Sequence, residues 1–141
     1  MLVEIYNTTS GTVIDHNPPA DDVAEGVPRN MRTELEDVIQ GNHARPTLFR
    51  CKKDTESTLI SVSLTLADGD LSGITYSFFT SPTFIPNVSQ GVQIFTPISV
   101  GFPISIPVSD SVSDYVWIDV ATPSNITGPV RATLSLSYNF S

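Results

Sequence analysis

From residue 47 onward, apolar and polar residues alternate along one segment after another. The longest alternating segment is C-terminal, and its apolar positions are Val130, Ala132, Leu134, Leu136, Tyr138 and Phe140. A second segment spans residues 58–66, and the side chains expected to face a core are Ile60, Val62, Leu64 and Leu66. Successive side chains of a strand point to opposite faces of its sheet, so a period of two predicts half-buried β-strands.

Short segments of this kind recur along most of the chain. The segments predicted as strands are residues 1–6, 47–52, 58–66, 74–80, 92–100, 102–108, 115–121 and 129–140. Short strands separated by turns about every 8–12 residues are typical of sandwich folds. We therefore predict an all-β fold, an antiparallel β-sandwich of seven or eight strands with jelly-roll or immunoglobulin-like connections.

Two features of these segments predict how the strands are arranged. A turn-like sequence, ADGDLSG, separates residues 58–66 from residues 74–80, and this is the strongest hairpin signal in the chain. The two strand segments between residues 92 and 108 contain Pro97, Pro103 and Pro107. Because proline has no N–H to donate to a neighbouring strand, these two segments are predicted to border a sheet.

The first third of the chain has a different pattern. The diproline at residues 18 and 19 cannot lie within a sheet, so residues 1–45 are predicted to form an N-terminal extended arm, with residues 46–141 as the β-sandwich domain. Within the arm, residues 29–40 are predicted to be one short helix, because four apolar residues recur at helical spacing. Those four residues are Met31, Leu35, Val38 and Ile39. A helix of about three turns is not stable alone in water, so we expect the four side chains to be buried against the sandwich or another chain.

The charge of the chain excludes some classes of partner. Only 16% of the residues are charged, and the formal net charge is −8. Binding to a nucleic-acid backbone needs clustered Lys and Arg, so no nucleic-acid partner is predicted. The sequence shows neither a signal-peptide pattern nor an apolar run approaching the about 20 residues that span a bilayer, so no membrane partner is predicted.

No set of residues in the sequence predicts catalysis, a cofactor or a metal ion. The acids that could bind a cation are Asp21, Asp22, Glu25, Asp68 and Asp70. A cation needs several converging oxygens, and Asp68-Gly69-Asp70 lacks the other ligand positions of a calcium loop, so a polar segment and a turn are the simpler interpretations. Cys51 lies on the apolar side of its predicted strand, and His16 and His43 lie in loop-like contexts. We therefore predict a buried thiol and no Cys–His nucleophile.

The segment 115–121, YVWIDVA, is a candidate binding surface. Along this strand Val116, Ile118 and Val120 alternate with Tyr115, Trp117 and Asp119. If the aliphatic face lies in the core, Tyr115 and Trp117 point outward, and two rings beside an acid suit sugar stacking or a protein contact. The other interpretation places Trp117 in the core and the aliphatic side chains under the arm or a neighbouring chain. In both cases we expect the strand to be covered on both faces.

This layout is similar in style to small virion proteins, especially the β-sandwich cement or decoration proteins that bind tailed-phage capsids through arms. The similarity is one of architecture, and no motif in the residues identifies a family. It leads us to expect a non-enzymatic structural protein of a virion assembled in the host cytoplasm, with the major capsid protein and copies of itself as partners. The expected contact residues are Met31, Leu35, Val38, Ile39, Tyr115 and Trp117. The alternatives are a carbohydrate-binding or adhesin-like module, and a small hydrolase.

Overall fold

Antiparallel strands are the regular structure of the part of the chain described here. A computed structural model describes residues 2–17, 29–34, 47–53, 58–69, 75–121 and 131–140. Within these ranges the chain forms strands and no helix, so the all-β, antiparallel prediction is confirmed. The strands are β1 (Leu2–Tyr6), β2 (Val13–Asn17), β3 (Arg29–Glu34), β4 (Thr47–Lys52), β5 (Leu59–Gly69), β6 (Thr75–Ser81), β7 (Thr96–Ile98), β8 (Ile104–Ile106), β9 (Val108–Ser109), β10 (Val112–Ser113), β11 (Tyr115–Ala121) and β12 (Arg131–Phe140).

The strands form two sheets. The larger sheet has eight strands, six of them in the order β2-β1-β4-β11-β6-β7, while β10 pairs with both β4 and β9. The smaller sheet has four strands in the order β3-β12-β5-β8. In each sheet, therefore, a strand from the first third of the chain lies at one border and β7 or β8 lies at the opposite border.

The two sheets share one apolar cluster. The larger sheet contributes Val3, Phe49, Cys51, Tyr76, Ile98, Val116, Ile118 and Val120. The smaller sheet contributes Leu59, Val62, Leu64, Leu66, Ile106, Leu136 and Tyr138. Each large apolar side chain that is fully buried stabilises the fold by about 1.5–3 kcal/mol. The alternation in the sequence therefore arises because one face of each sheet is buried in this cluster.

Several predicted strands agree with the structure. Residues 47–52 and 115–121 form β4 and β11 with the predicted bounds. The two proline-containing segments form β7 and β8, and each lies at the border of its sheet, as predicted. Each of these two strands has only three residues. Short pairing is the expected consequence of the N–H donors that prolines lack.

The predicted hairpin of residues 58–66 and 74–80 is wrong. Its first strand, β5, pairs with β12 and β8 in the smaller sheet. Its second strand, β6, pairs with β11 and β7 in the larger sheet. Alternation shows that one face of a strand is buried but carries no information about which strand lies beside it. The sequence pattern therefore predicted the two strands and not their pairing.

A β-bulge changes the face of one predicted core residue. Ser61 pairs with Asn139 and Leu59 pairs with Phe140, so Ile60 is an extra residue on β5. In consequence Leu59 is buried in the core and Ile60 is exposed. An extra residue in one strand interrupts the alternation of faces at that point. The prediction that Ile60 faces the core is wrong for this reason.

The predicted helix of residues 29–40 is wrong for its first half. Arg29–Glu34 form the strand β3, which pairs with β12 and places the backbone of Met31 opposite Leu134. A three-turn helix is marginal by itself, whereas pairing with β12 gives this segment the hydrogen bonds of a sheet, and tertiary context overrides local propensity. The other predicted contact residues of the segment, Leu35, Val38 and Ile39, lie outside the described residues.

The first two strands belong to the larger sheet. β1 pairs with β2 on one side and with β4 on the other, so residues 2–6 lie inside the sheet and β2 forms its border. The pairing of β1 with β2 contains a second bulge, at which Ile14 is the extra residue. The division of the chain into an arm of residues 1–45 and a domain of residues 46–141 stays a prediction.

Candidate functional site

The two faces of β11 are buried by different parts of the chain. Its aliphatic side chains lie in the cluster between the sheets. Its other face carries Tyr115, Trp117 and Asp119, and residues 82–95, referred to below as the covering loop, lie over it. The strand is therefore covered on both faces, as expected, and the cover on the outer face belongs to the same chain.

The covering loop closes a second apolar cluster on the outer face of the larger sheet. Its buried members are Tyr6, Leu48, Val88, Phe95 and Trp117, with Phe79, Phe84, Ile85 and Tyr115 packed against them. The ring centroid of Phe79 lies 5.4 Å from that of Trp117 and 5.8 Å from that of Phe95. Aromatic pairs at such separations stabilise a fold by about 0.5–1.5 kcal/mol beyond the burial of their area. The covering loop is therefore a packed part of the structure.

Trp117 does not present a ring to solvent. Its side chain is 0% exposed, and within the described part of the chain its Nε1–H has no hydrogen-bond partner. A stacking platform for a sugar needs an open ring face. This burial corrects the expectation of an exposed Trp117 ring. The other interpretation is also wrong in one respect, because the aliphatic side chains of β11, and not Trp117, lie in the cluster between the sheets. The burial is under the covering loop, on the side of the sheet opposite the shared cluster.

The ring of Tyr115 is packed by its neighbours. The guanidinium carbon of Arg50 lies 4.3 Å from the centroid of the Tyr115 ring. Arg50 Nη1 also donates a hydrogen bond of 3.3 Å to the Tyr115 hydroxyl. Tyr6 meets the same ring edge-on, with the two centroids 5.3 Å apart. A sugar that stacked on the face covered by Arg50 would have to displace this cation.

A buried carboxylate lies beside these aromatic residues. Glu4 lies opposite Arg50 in the pairing of β1 with β4. Glu4 Oε2 accepts a hydrogen bond from the Tyr6 hydroxyl and lies 2.9 Å from Lys52 Nζ. Burial, the hydrogen bond to Glu4 and the charge of Glu4 together raise the pKa of Tyr6 far above its usual range. Tyr6 therefore stays a protonated donor above the pH at which an exposed tyrosine ionises, and the contact of Glu4 with Lys52 joins β1 to β4.

Polar contacts fix the covering loop at two places. Gln90 Nε2 donates hydrogen bonds to Asp119 Oδ2 at 3.1 Å and to Ser77 Oγ at 2.6 Å. The backbone N–H of Asn87 donates to the carbonyl of Thr8, in the turn between β1 and β2, at 3.0 Å. These contacts join residues far apart in the chain, and no local sequence pattern marks them.

The remaining candidate residues lie in separate places. Cys51 is buried in the cluster between the sheets, as predicted. The backbone of His16 lies in β2, opposite Glu4. Among the described residues, no group of three His, Cys, Asp or Glu side chains could hold a metal ion. The candidates outside the described residues are Asp21, Asp22, Glu25, His43 and Asp70.

Large apolar side chains are exposed along one border of the molecule. They lie in residues 92–102, referred to below as the apolar border, which run from the end of the covering loop through β7 toward β8. The exposed fractions are 74% for Val92, 90% for Ile94, 53% for Val100 and 68% for Phe102. The prolines predicted a sheet border here, but alternation alone did not distinguish exposed from buried apolar positions.

Hydrogen-bonded turns hold these side chains in place. The N–H of Val92 donates to the carbonyl of Ser89 at 3.0 Å, and the N–H of Phe102 donates to the carbonyl of Ser99 at 3.2 Å. Gly101 occupies the third position of the second turn with a φ of 83°. This left-handed conformation favours glycine, which has no Cβ. Three of the exposed residues, Val92, Val100 and Phe102, therefore belong to hydrogen-bonded turns.

Two exposed apolar residues elsewhere have a local explanation. Ile14 and Ile60, each the extra residue of a bulge, are 63% and 54% exposed. A bulge removes its extra residue from the regular alternation of the strand. The pairings of β7 and β8 contain no such register shift. The exposure of the apolar border therefore has another cause.

Within the described residues, no helix is long and apolar enough to cross a membrane. No family model matches the chain, and no curated protein or solved structure gives a significant match to it.

Proposed function

We propose that this chain is a non-enzymatic structural subunit of a viral particle, a cement or decoration protein of a tailed-phage capsid. Its partners are the major capsid protein and copies of itself, in virions assembled in the host cytoplasm. The observation that carries the proposal is the apolar border, where four large side chains are exposed in a segment that contains two hydrogen-bonded turns. Soluble monomers rarely expose contiguous apolar patches larger than a few hundred Å², and larger patches mark contacts with other proteins.

The sheet topology supports a subunit with two separate contact regions. β2 and β3 lie at one end of their sheets, and β7 and β8 lie at the other end. An edge strand has unpaired backbone groups that can bind another chain. In this proposal the N-terminal border contacts the shell and the apolar border makes the second contact. The N-terminal contact residues are Met31, Leu35, Val38 and Ile39.

The proposal takes the two sheets as a jelly-roll or immunoglobulin-like β-sandwich with an N-terminal arm. Support for a sandwich comes from the apolar cluster to which both sheets contribute. Support for an N-terminal contact region comes from the border positions of β2 and β3. A rigid sandwich would hold the two contact regions at a fixed distance from each other, as a subunit of an ordered shell requires.

The polar side chains on the outer face of the larger sheet support a structural use. Arg50 Nε donates to the carbonyl of Ser113 at 2.9 Å, and Nη1 of the same side chain donates to Tyr115. Glu4 binds Tyr6 and Lys52. A general acid or base has to reach the proton that it transfers on a substrate. These groups are instead engaged with one another, across strands that they hold together.

The alternative of a carbohydrate-binding or adhesin-like module has less support from the geometry. Its two stacking residues were Tyr115 and Trp117. Trp117 is fully buried and Arg50 lies over the ring of Tyr115. Stacking on Trp117 would require the covering loop to leave the sheet, which would break the contacts of Gln90 with Asp119 and Ser77.

The proposal is tested by binding to assembled shells. The full-length chain is mixed with shells formed by the major capsid protein encoded nearest to its gene, and the mixture is separated on a density gradient. We expect the chain to migrate with the shells at a fixed ratio to capsid subunits and to raise the temperature at which they melt. Shells of an unrelated phage are the control. A chain that stays at the top of the gradient with both kinds of shell contradicts the proposal.

A further inference from the structure

We infer that the apolar border is the contact surface between two copies of this chain, related by a two-fold axis. The inference rests on the proposed function and deepens it, because it names the occupant of the border. In a two-fold dimer the same patch of each copy meets the other. Ile94, two residues beyond the first turn, and Phe102, the last residue of the second turn, would then lie against the border of the second copy.

The charge distribution of the chain favours a second copy over a basic partner at the apolar border. The formal net charge is −8, so two copies repel each other unless they meet at a surface without acids. Residues 71–109 contain no Asp, Glu, Lys, Arg or His, and the apolar border lies within this stretch. A basic partner would be attracted to acidic surfaces elsewhere and would gain no charge complementarity here. The border therefore suits a second acidic copy.

Prolines restrict this contact to side chains. Pro97 lies within β7, and Pro103 and Pro107 flank β8. Because proline lacks the N–H that a sheet needs, these prolines disfavour pairing of either border strand along its length with a strand of another chain. The exposed apolar side chains then make most of the contact. This arrangement favours a closed pair over an open-ended extension of the sheets.

The border is fixed to both sheets. Residues 96–98 pair with β6 of the larger sheet. The N–H of Gly101 donates to the carbonyl of Leu66, on β5 of the smaller sheet, at 2.9 Å. A surface that is already ordered loses little conformational entropy when it binds. Its apolar side chains can therefore contribute their burial to dimer formation with little cost of ordering.

The test is the molar mass of the full-length chain, measured by sedimentation equilibrium over a range of concentrations. We expect a reversible dimer whose dissociation constant rises about tenfold in Ile94→Ser and in Phe102→Ser. Ile14→Ser and Ile60→Ser are matched controls, because each removes a large exposed side chain away from the border, and both should leave the dimer unchanged. Added salt should not weaken the dimer, because no ion pair crosses a border without charges.

A cross-linking experiment provides a second readout that does not depend on a loss of binding. A short bismaleimide should link two copies of Ile94→Cys or Phe102→Cys and should not link two copies of Ile14→Cys. Cys51 is buried and should not react in the folded chain. The melting temperature of each variant shows whether it is folded, so a misfolded variant cannot be mistaken for a monomer.

Two results would overturn the inference. One is a wild-type chain that stays monomeric at every concentration and is not linked through residues 94 or 102. The other is a dimer that Ile14→Ser weakens as much as Ile94→Ser does. If the proposed function is wrong, the result is different: the chain does not migrate with shells, whether it is a monomer or a dimer. A monomer that binds shells rejects the dimer alone, and a dimer that binds no shell rejects the capsid role alone.

Discussion

Gln90 Nε2 lies 3.1 Å from Asp119 Oδ2, and this hydrogen bond joins the covering loop to β11. Asp119 is buried on the outer face of the larger sheet, so a hydrogen bond to its carboxylate stabilises more than one at the surface would. Together with the packing of Phe95 on Phe79, this contact keeps the covering loop over Trp117. The aromatic residues on the outer face of the larger sheet are thus buried by the covering loop, and the exposed apolar residues lie at the border of the sheet.

We expect Gln90→Ala to lower the free energy of unfolding by about 1.5 kcal/mol, because it removes a hydrogen bond to a charged group. The covering loop should also loosen, and Trp117 is the only tryptophan in the chain. Its fluorescence should therefore shift to longer wavelength and become more accessible to acrylamide. Gln93→Ala is the matched control, since Gln93 Oε1 accepts a hydrogen bond from Ser89 within the same loop. Equal quenching in the two variants would contradict the role of Gln90.

Tyr6→Phe should lower the free energy of unfolding by about 1.5–3 kcal/mol at neutral pH, because the buried Glu4 loses a donor. The folded-state pKa of Tyr6 is raised, first by burial and then by Glu4. The contribution of a raised pKa is fully present below the unfolded pKa, about 10 for tyrosine, and is lost as pH rises toward the folded pKa. The difference between wild type and Tyr6→Phe in urea unfolding should therefore be constant up to about pH 9 and shrink above about pH 10. A difference that stays constant into strong alkali would contradict this account.

Gly11 lies in the turn between β1 and β2, where that turn touches the covering loop. Its φ is 73°, and an added Cβ would lie 2.9 Å from Cδ1 of Phe84. We expect Gly11→Ala to lower the free energy of unfolding by about 2–3 kcal/mol, since the left-handed backbone and the clash both oppose the methyl group. Urea unfolding at neutral pH measures this loss.

Substitutions at two other glycines distinguish the effect of backbone strain from the effect of the clash with Phe84. Gly101 has a φ of 83° and open space around it, so Gly101→Ala should show backbone strain alone, about 1 kcal/mol. Gly91 has no atom within 4 Å of an added Cβ, so Gly91→Ala should stay within about 0.5 kcal/mol of wild type. If Gly101→Ala and Gly11→Ala lose the same stability, the contact with Phe84 contributes nothing.

The sequence pattern predicts strands well where a strand has a face in the shared cluster. β4 and β11 have the predicted bounds, and Leu136 and Tyr138 of β12 are buried at predicted apolar positions. The pattern does not predict the bulges at Ile14 and Ile60, because a bulge depends on the register between paired strands and not on either strand alone. Ile14 and Ile60 are exposed for that reason, although their residue type suits a core.

The segment Arg29–Glu34 shows a second limit of local patterns. Its helical spacing competes with pairing to β12, and the partner strand begins about a hundred positions later in the chain. At the candidate site, the sequence correctly predicted that β11 has an aliphatic face and an aromatic and acidic face. It also predicted that both faces are covered by other residues. It could not indicate that residues 82–95 supply the outer cover, because a loop without periodicity carries no signal of where it packs. Tyr115 and Trp117 therefore suggested an open surface that the loop in fact closes.

The central claim is that the apolar border faces another subunit when the chain is assembled. It is tested most directly by the rate at which a maleimide reacts with a single introduced thiol, in the dilute chain and in shells that carry it. Ile94→Cys places this thiol in the border and Ile60→Cys places it at a bulge in β5, inside the smaller sheet, while Cys51 stays buried. We predict that assembly slows the reaction of Ile94→Cys about tenfold or more, as burial in a contact requires, and leaves Ile60→Cys unchanged. A residue-94 thiol that reacts as fast in the assembly as in the dilute chain would contradict the account.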